Sequence, residues 1–364
     1  MKAEIITITG ETNYGNRLQN YAVEQVLFKL GVDAVTYNAC PIGFDALKFE
    51  LKRIIKYIIK RGSYCRDSRF YGFNKFNRKY IHCVKNHQPD ADYAVCGSDQ
   101  IWNFKWDTIW EKRDLYFARF VPPEKRIAYS ASISCDEIEP KYREDFIKGV
   151  SEMKSISVRE QKGADIIYEL AGRKVGVTVD PTIMLSRSEW MKIAKKPKCV
   201  NKKRKYILTY FLGGIDGIDS DIQSFIDRVA EKYGLEIIDL YHEWTNVDKI
   251  KNMHHFRFSP DEFVWLAANC EIMFTDSFHG SIFSIIMDKP FRCFERVENI
   301  VGSMNSRMEQ LFGEIGISDW CTGNTAENVE NIFYKNYNNV SSVWSKDREK
   351  AYNYLKGALG LNEV

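Results

Sequence analysis

The stretch Thr275-Asp276-Ser277-Phe278-His279-Gly280-Ser281, followed by Asp288-Lys289-Pro290-Phe291, holds residue types suited to acid–base work beside an anion. The apolar run Ile272–Thr275 predicts a strand ending in Asp-Ser, with His279 in the first turn of the next helix. Imidazole exchanges a proton near neutral pH, and a helix N-terminus beside it favours bound anions. Gly280 permits close backbone approach, and Ser277 and Ser281 add hydroxyls. Lys289 follows the helix and is expected to return to the same edge through a βα connection. A purely structural histidine is the bland alternative, but Ser and Gly at a strand-to-helix mouth are not typical core material.

Three further stretches end apolar strands. Cys96-Gly97-Ser98-Asp99-Gln100-Ile101-Trp102-Asn103 sets several hydrogen-bonding side chains, Ser98, Asp99 and Gln100 among them, where a sugar could be recognised; a helix cap followed by a core Trp is its other reading. Ser157-Val158-Arg159-Glu160 carries a permanent cation able to bind a carboxylate or phosphate bidentately, or to pair with Glu160. Asp180-Pro181-Thr182 reads mainly as a turn. Gly10-Glu11-Thr12-Asn13-Tyr14-Gly15-Asn16-Arg17 opens a helix whose free N–H groups suit an anion. Asn16-Arg17 stands where a phosphate-binding P-loop needs Lys-Ser/Thr, which excludes that ATPase motif. A tight turn capped by Asn16 is equally compatible with the residues. Asp90-x-Asp92, Asp219-x-Asp221 and His254-His255 lack the context of a metal site, and no metal is expected.

The elements that must hold these residues alternate. Strands are expected at Ile5–Thr9, Ala34–Asn38, Tyr93–Cys96, Arg126–Ala131, Ser155–Val158 and Val175–Val179. Helices are expected at Arg17–Leu30, Phe44–Lys60, Lys141–Met153 and Lys162–Leu170. The stretch Ser186–Lys205, basic and interrupted by Pro197, reads as a solvated linker. Strands then resume at Tyr206–Phe211, Glu236–Tyr241, Ile272–Thr275 and Phe291–Phe294, with helices at Asp219–Tyr233, Pro260–Asn269, Ser277–Met287 and Met304–Phe312. This is an α/β chain of two Rossmann-like, doubly wound domains, 1–190 and 200–340, facing a cleft at their strand ends.

A length of 364 residues covers two such domains, and 45% hydrophobic with 28% charged residues is ordinary for a globular protein. A formal charge of +3 argues for no nucleic-acid partner. The opening Met1-Lys2-Ala3-Glu4-Ile5-Ile6 runs into a strand without a signal-peptide pattern, and no apolar stretch is long enough to span a bilayer. The nine cysteines are scattered singly, as expected of free thiols in a reducing cytoplasm. Lys48 to Lys85 carries a net charge of +10 and the remainder −7. Lys48, Lys52, Lys56 and Lys60 recur beside an apolar face of Leu47, Leu51, Ile54, Ile55 and Ile58. That pattern fits a core-packing helix with a solvated lysine face, or a helix over 44–85 that lies on the inner membrane surface or attracts an acidic substrate.

Asn13-Tyr14-Gly15-Asn16-Arg17-Leu18-Gln19-Asn20, Gly97-Ser98-Asp99-Gln100-Ile101-Trp102-Asn103, Ser157-Val158-Arg159-Glu160 and Asp276-Ser277-Phe278-His279-Gly280 resemble, in order, the polysaccharide pyruvyl transferase family. The resemblance runs from about residue 10 to 297. It implies a GT-B-like fold and a cytoplasmic transferase that moves pyruvyl from phosphoenolpyruvate, with no cofactor, to a saccharide acceptor, free or lipid-linked. It makes Arg159, His279 and Lys289 the donor-binding and catalytic set and Asp99 a further activity residue. Asn16, Arg17, Ser98, Gln100, Ser277 and Gly280 would line the cleft. By analogy with GT-B folds, the last helix, within 341–364, is expected to cross back onto the first domain. Two other classes share this build: a nucleotide-sugar glycosyltransferase, against which stands the lack of a Glu followed seven residues later by Glu near the expected donor loop, and a non-catalytic glycan-binding protein.

Overall fold

A computed structural model describes residues 1–9, 13–38, 64–201, 204–212, 220–240, 258–294, 305–317 and 329–361. The segment Gly10–Thr12, the apolar–lysine stripe at 44–60, Asp219 and His254-His255 lie outside the described residues.

Two parallel sheets organise the chain. The first joins β1 (Lys2–Ile6), β2 (Asp33–Tyr37), β3 (Cys83–Val84), β4 (Tyr93–Gly97), β5 (Arg126–Ala131), β6 (Ser155–Val158) and β7 (Gly176–Val177) in the order β3-β2-β1-β4-β5-β6-β7. The second joins β8 (Tyr206–Tyr210), β9 (Glu236–Asp239), β10 (Ile272–Thr275) and β11 (Phe291–Cys293) in the order β11-β10-β8-β9. All described pairings are parallel, as expected where helices cover both faces and strands such as β5 and β8 are buried at every residue. Strand order reverses between β1 and β4, so the loops after these two strands diverge and leave a crevice at their carboxyl ends.

The helix Tyr14–Lys29 begins where the Asn13 side chain accepts a hydrogen bond from the Asn16 N–H, 3.4 Å. It starts a turn earlier than its apolar spacing suggests, because Tyr14 is itself a core residue. The Tyr14 ring stacks on Phe263 at 4.9 Å and meets Tyr210 and Phe73 at 5.5 and 5.2 Å, inside a core fed by helices of the first lobe and by the second sheet. Each such aromatic pair adds roughly 0.5–1.5 kcal/mol beyond area burial. The lobes are therefore joined by a packed apolar seam directly beneath the cleft.

One sequence reading is corrected here. Ser186 does not open a solvated linker. Its hydroxyl accepts from the Glu189 N–H while the Glu189 carboxylate accepts from the Ser186 N–H at 2.8 Å, and this capping box starts a helix, Arg187–Ile193. The helix buries Trp190 completely. On the helix Tyr64–Tyr80, Phe73 and Phe76 enter the core while Lys75, Arg78 and Lys79 face solvent.

The helix Val340–Leu359 packs on the first sheet through Ala351, Leu355, Ala358 and Leu359. Tyr354 Oη donates to the Ala128 carbonyl at 2.6 Å, and Arg348 Nε to the Ile183 carbonyl at 2.7 Å. Among the described residues, no helix is long and apolar enough to cross a membrane.

Candidate active site

The carboxyl edges of both sheets meet around one buried acid. Asp180 follows β7 and caps the short turn Pro181–Met184, its Oδ1 accepting from the Thr182 N–H at 2.9 Å and from the Thr182 hydroxyl at 2.6 Å. Its Oδ2 accepts from Arg159 Nη1 at 2.8 Å, and His279 Nε2, arriving from the second lobe, lies 3.3 Å from the same oxygen. The side-chain exposures of Asp180, Arg159 and His279 are 0%, 2% and 12%, so water screens these contacts little. Burial by itself would push the Asp180 carboxyl up. The charge of His279, the Arg159 guanidinium and the Thr182 hydrogen bonds outweigh it and hold the carboxyl well below the usual aspartate range.

Each member is aimed by its local structure. Arg159 Nη1 also donates to the Ser98 carbonyl at 3.2 Å, tying the end of β6 to the end of β4. The Phe278 ring lies 4.8 Å from the guanidinium carbon, and Nη2 makes no hydrogen bond among the described residues. Glu160, 3% exposed, turns away and clamps the loop after β5. Its Oε1 accepts from Ser132 Oγ and from the N–H groups of Ile133 and Ser134, at 3.0, 2.7 and 3.0 Å. That loop leaves β5 through a register shift against β6, and Ser130 and Ser134 adopt φ of +53° and +52°. Backbone held in this region costs about 1–3 kcal/mol per residue and gathers near functional sites. Gly15 explains how closely the lobes approach at His279: a Cβ there would overlap the imidazole ring.

The crevice between β1 and β4 lies next to this cluster. Asp99 and Gln100 are 5% and 7% exposed, and Asp99 Oδ1 accepts from the Gln100 N–H at 2.8 Å. Among the described residues, Asp99 Oδ2, Gln100 Nε2 and Asn103 Nδ2 are buried without a hydrogen-bond partner. Several orphaned polar atoms in one loop are costly unless a ligand completes them. Asn16 and Arg17 stand on the facing helix, Arg17 Nη2 donating to the Ile8 carbonyl at 2.5 Å. The Tyr116 hydroxyl is pushed up to about 12, chiefly by burial, with Asp99 adding to the shift and Arg17 opposing it.

Other expected cleft residues are committed elsewhere. Ser98 Oγ donates to Gln19 Oε1 at 3.0 Å, and Gln19 Nε2 donates to Thr7 Oγ1 at 2.9 Å. Ser277 Oγ caps its helix by accepting from the Gly280 N–H at 3.3 Å. Gly280 makes room for the Thr275 side chain, with a Cβ placed there coming 2.5 Å from Oγ1. Lys289 requires a correction, because the structure puts it at the other end of the sheet. The Phe278–Ile286 helix runs back along β10, so Lys289 precedes β11, and the Met273 N–H donates to the neighbouring Pro290 carbonyl at 3.0 Å. A βα loop and the αβ loop after it lie at opposite ends of a parallel sheet, so Lys289 cannot join His279. Asp180 is the reverse case: read as a turn, it is the group that binds the cluster together. Its one sequence signal was a strand-ending acid before proline. Among the described residues, no group of three or more His, Cys, Asp or Glu is placed to hold a metal ion.

Two parallel-sheet lobes with a ligand cleft at their strand ends and a returning last helix define the GT-B class. Solved structures agree at the level of fold. A UDP-GlcNAc 2-epimerase from Methanocaldococcus jannaschii matches with a TM-score of 0.52 at 14% identity, covering 98% of this chain and 99% of that one. S. aureus MnaA bound to UDP matches with a TM-score of 0.50 at 12% identity, covering 98% and 91%. No curated protein matches in sequence. The family model for polysaccharide pyruvyl transferase matches residues 13–297, and the chain belongs to that family.

Proposed function

We propose that this protein transfers the pyruvyl group of phosphoenolpyruvate to two hydroxyls of one sugar in a cell-surface polysaccharide or its precursor, forming a ketal and releasing phosphate. The observation that carries this reading is the Arg159–Asp180–His279 cluster, which brings a guanidinium and an imidazole from different lobes to one buried point.

The chemistry needs a proton delivered to the donor's methylene carbon, which turns C2 into an electrophile. One sugar hydroxyl adds to C2 and gives up its proton. The C2–O bond to phosphate then breaks, the electron pair leaving with phosphate, and the second hydroxyl closes the ring as it loses its own proton. His279 is the group suited to moving a proton at the methylene carbon or the leaving oxygen, work typically worth about 10²–10⁴-fold in rate. Asp180 keeps that imidazole in place. Arg159, anchored through Nη1, offers Nη2 to the donor's carboxylate, and fixed donors of this kind contribute roughly 3–4 kcal/mol. The N-terminus of the Tyr14–Lys29 helix adds a positive end beside His279. Asp99 Oδ2, buried and without a hydrogen bond, is the acceptor for the attacking hydroxyl's proton. The excess charge across Lys48–Lys85 would hold the enzyme at an anionic cytoplasmic membrane face when the acceptor is lipid-linked.

Phosphate release from phosphoenolpyruvate that depends on added saccharide tests the reaction. His279→Gln and Arg159→Ala should each lower turnover at least 100-fold while the protein stays folded. Near wild-type turnover in either variant removes the mechanism, and release from a nucleotide sugar instead would make the protein a glycosyltransferase.

A further inference from the structure

Three neighbouring strands carry Arg159, the loop after β5 and Asp99, and hydrogen bonds join them in series. Arg159 follows β6 and Asp99 lies just past β4, with β5 between them. The Arg159 N–H donates to the Ala131 carbonyl at 3.0 Å, and Glu160 Oε1 gathers Ser132 Oγ with the N–H groups of Ile133 and Ser134. Ser132 passes the tie onward. Its N–H donates to the Asp99 carbonyl at 3.1 Å, and its own carbonyl accepts from the Trp102 N–H at 3.2 Å. Glu160 therefore reaches the loop that carries Asp99 through one residue of backbone.

Local structure does not ask for a glutamate here. Residue 160 is the N-cap of the helix Gln161–Ala171, yet its side chain makes no capping hydrogen bond, and Asp, Asn or Ser would cap better. Nor is Glu160 the main counter-ion of Arg159. Its Oε2 lies 3.8 Å from Arg159 Nε, beyond hydrogen-bond reach, and Asp180 at 2.8 Å takes that part. What a side chain of this length supplies is one oxygen at the focus of three donors. Charge strengthens those bonds, which offsets the strain of the positive φ at Ser130 and Ser134. We propose that Glu160 is a positioning residue for Asp99. It touches no substrate; it holds the loop after β5 in its strained form, and that form sets where Asp99 stands relative to Arg159. The role of Asp99 as proton acceptor rests on the pyruvyl-transfer reading, whereas the hydrogen-bond path does not.

Glu160→Asp and Glu160→Gln separate reach from charge. Aspartate keeps the charge and suits the N-cap, so the fold holds, but it falls one methylene short of the loop. Glutamine keeps an acceptor oxygen at full reach. Amide hydrogen exchange on the full chain, read by mass spectrometry, should be about tenfold faster in Glu160→Asp across both 130–135 and 98–103, the worth of one lost hydrogen bond. Glu160→Gln should stay close to wild type. In the phosphate-release assay Glu160→Asp should lose about 100-fold in kcat, with KM for phosphoenolpyruvate within about twofold, and Glu160→Gln should recover at least about tenfold of that loss. Added to Asp99→Asn, Glu160→Asp should cost nothing further. Unchanged exchange in 98–103, Glu160→Gln as slow as Glu160→Asp, or losses that multiply with Asp99→Asn overturn the assignment. The expected exchange pattern in a protein that releases no phosphate from phosphoenolpyruvate leaves Glu160 as the holder of the Asp99 loop and sinks the pyruvyl-transfer reading instead.

Discussion

Two of the histidine–carboxylate contacts that bury an acid in the first lobe, those of Glu24 and Asp180, have surroundings that drive the acids in opposite directions. Glu24 and Asp180 both have side chains 0% exposed, and each lies about as close to an imidazole, 3.0 Å from His82 Nδ1 and 3.3 Å from His279 Nε2. Burial wins at Glu24, whose carboxyl is pushed up although Thr36 Oγ1 donates at 2.7 Å and the His82 N–H donates as well. At Asp180 burial loses. The difference lies in the partners: His82 is 63% exposed and its charge is screened by water, whereas His279 is nearly enclosed and Arg159 adds a permanent cation. The Glu24 pair is a fastening between the Tyr14–Lys29 helix and the turn before β3, while the Asp180 pair spans the lobes and faces the cleft.

The strongest way to break this contrast is Asp180→Asn. It leaves a buried guanidinium and imidazole without their counter-charge, and stability should fall by about 3–5 kcal/mol, read from thermal or denaturant unfolding. Turnover should approach the loss expected for His279 itself, at least roughly 100-fold, measured below the variant's melting temperature. A mild effect on both would show that Asp180 is not what holds the cluster together.

Gly15→Ala comes next. The added methyl must displace the His279 ring or part the lobes, so kcat should drop about tenfold while the helix, which tolerates alanine well, keeps its stability. Unchanged kcat would mean that the imidazole does not work in the position seen here.

Acid and alkali should separate the two carboxylates further. The folded-state value of Asp180 is lowered, so its stabilising contribution is complete above the ordinary aspartate value of about 3.9 and is lost as pH falls below it. The Glu24 value is raised, so its contribution is complete below the ordinary glutamate value of about 4.3 and is lost as pH rises through the folded value. Melting temperatures across pH 3 to 8 should therefore show a loss that begins above about 4.3 and disappears in Glu24→Gln. The same slope in variant and wild type would assign that loss to another group.

Lys289→Ala should have the smallest effect. With its ammonium at the far end of the second sheet, turnover should stay within about twofold of wild type in the phosphate-release assay. A large loss would reopen the placement of β11 and the turn before it.

Most of the frame was legible because its signals are local. Arg126–Ala131, Ser155–Val158, Ile272–Thr275 and Pro260–Asn269 occupy the residues that apolar runs and helix-start signals indicate. The helix Arg187–Ile193 was hidden in a basic stretch, because its capping box is two residues and its burial rests on Trp190 and Ile193 alone. The motif order along the chain, from Asn13 to Gly280, was enough to place it in its family.

Residue types at strand ends, and therefore the presence of Arg159, His279 and Asp99 at loop mouths, were determined by the sequence alone, because strand, turn and helix start are set by neighbours a few residues apart. Which of them share a site was decided only in three dimensions. Asp180 joins Arg159 to His279 across 120 residues of chain and two sheets, and Lys289, ten residues from His279, ends on the opposite edge. The physical reason is the geometry of a parallel sheet, in which helices carry the chain from one edge back to the other, so nearness in sequence and nearness in space come apart at each crossing.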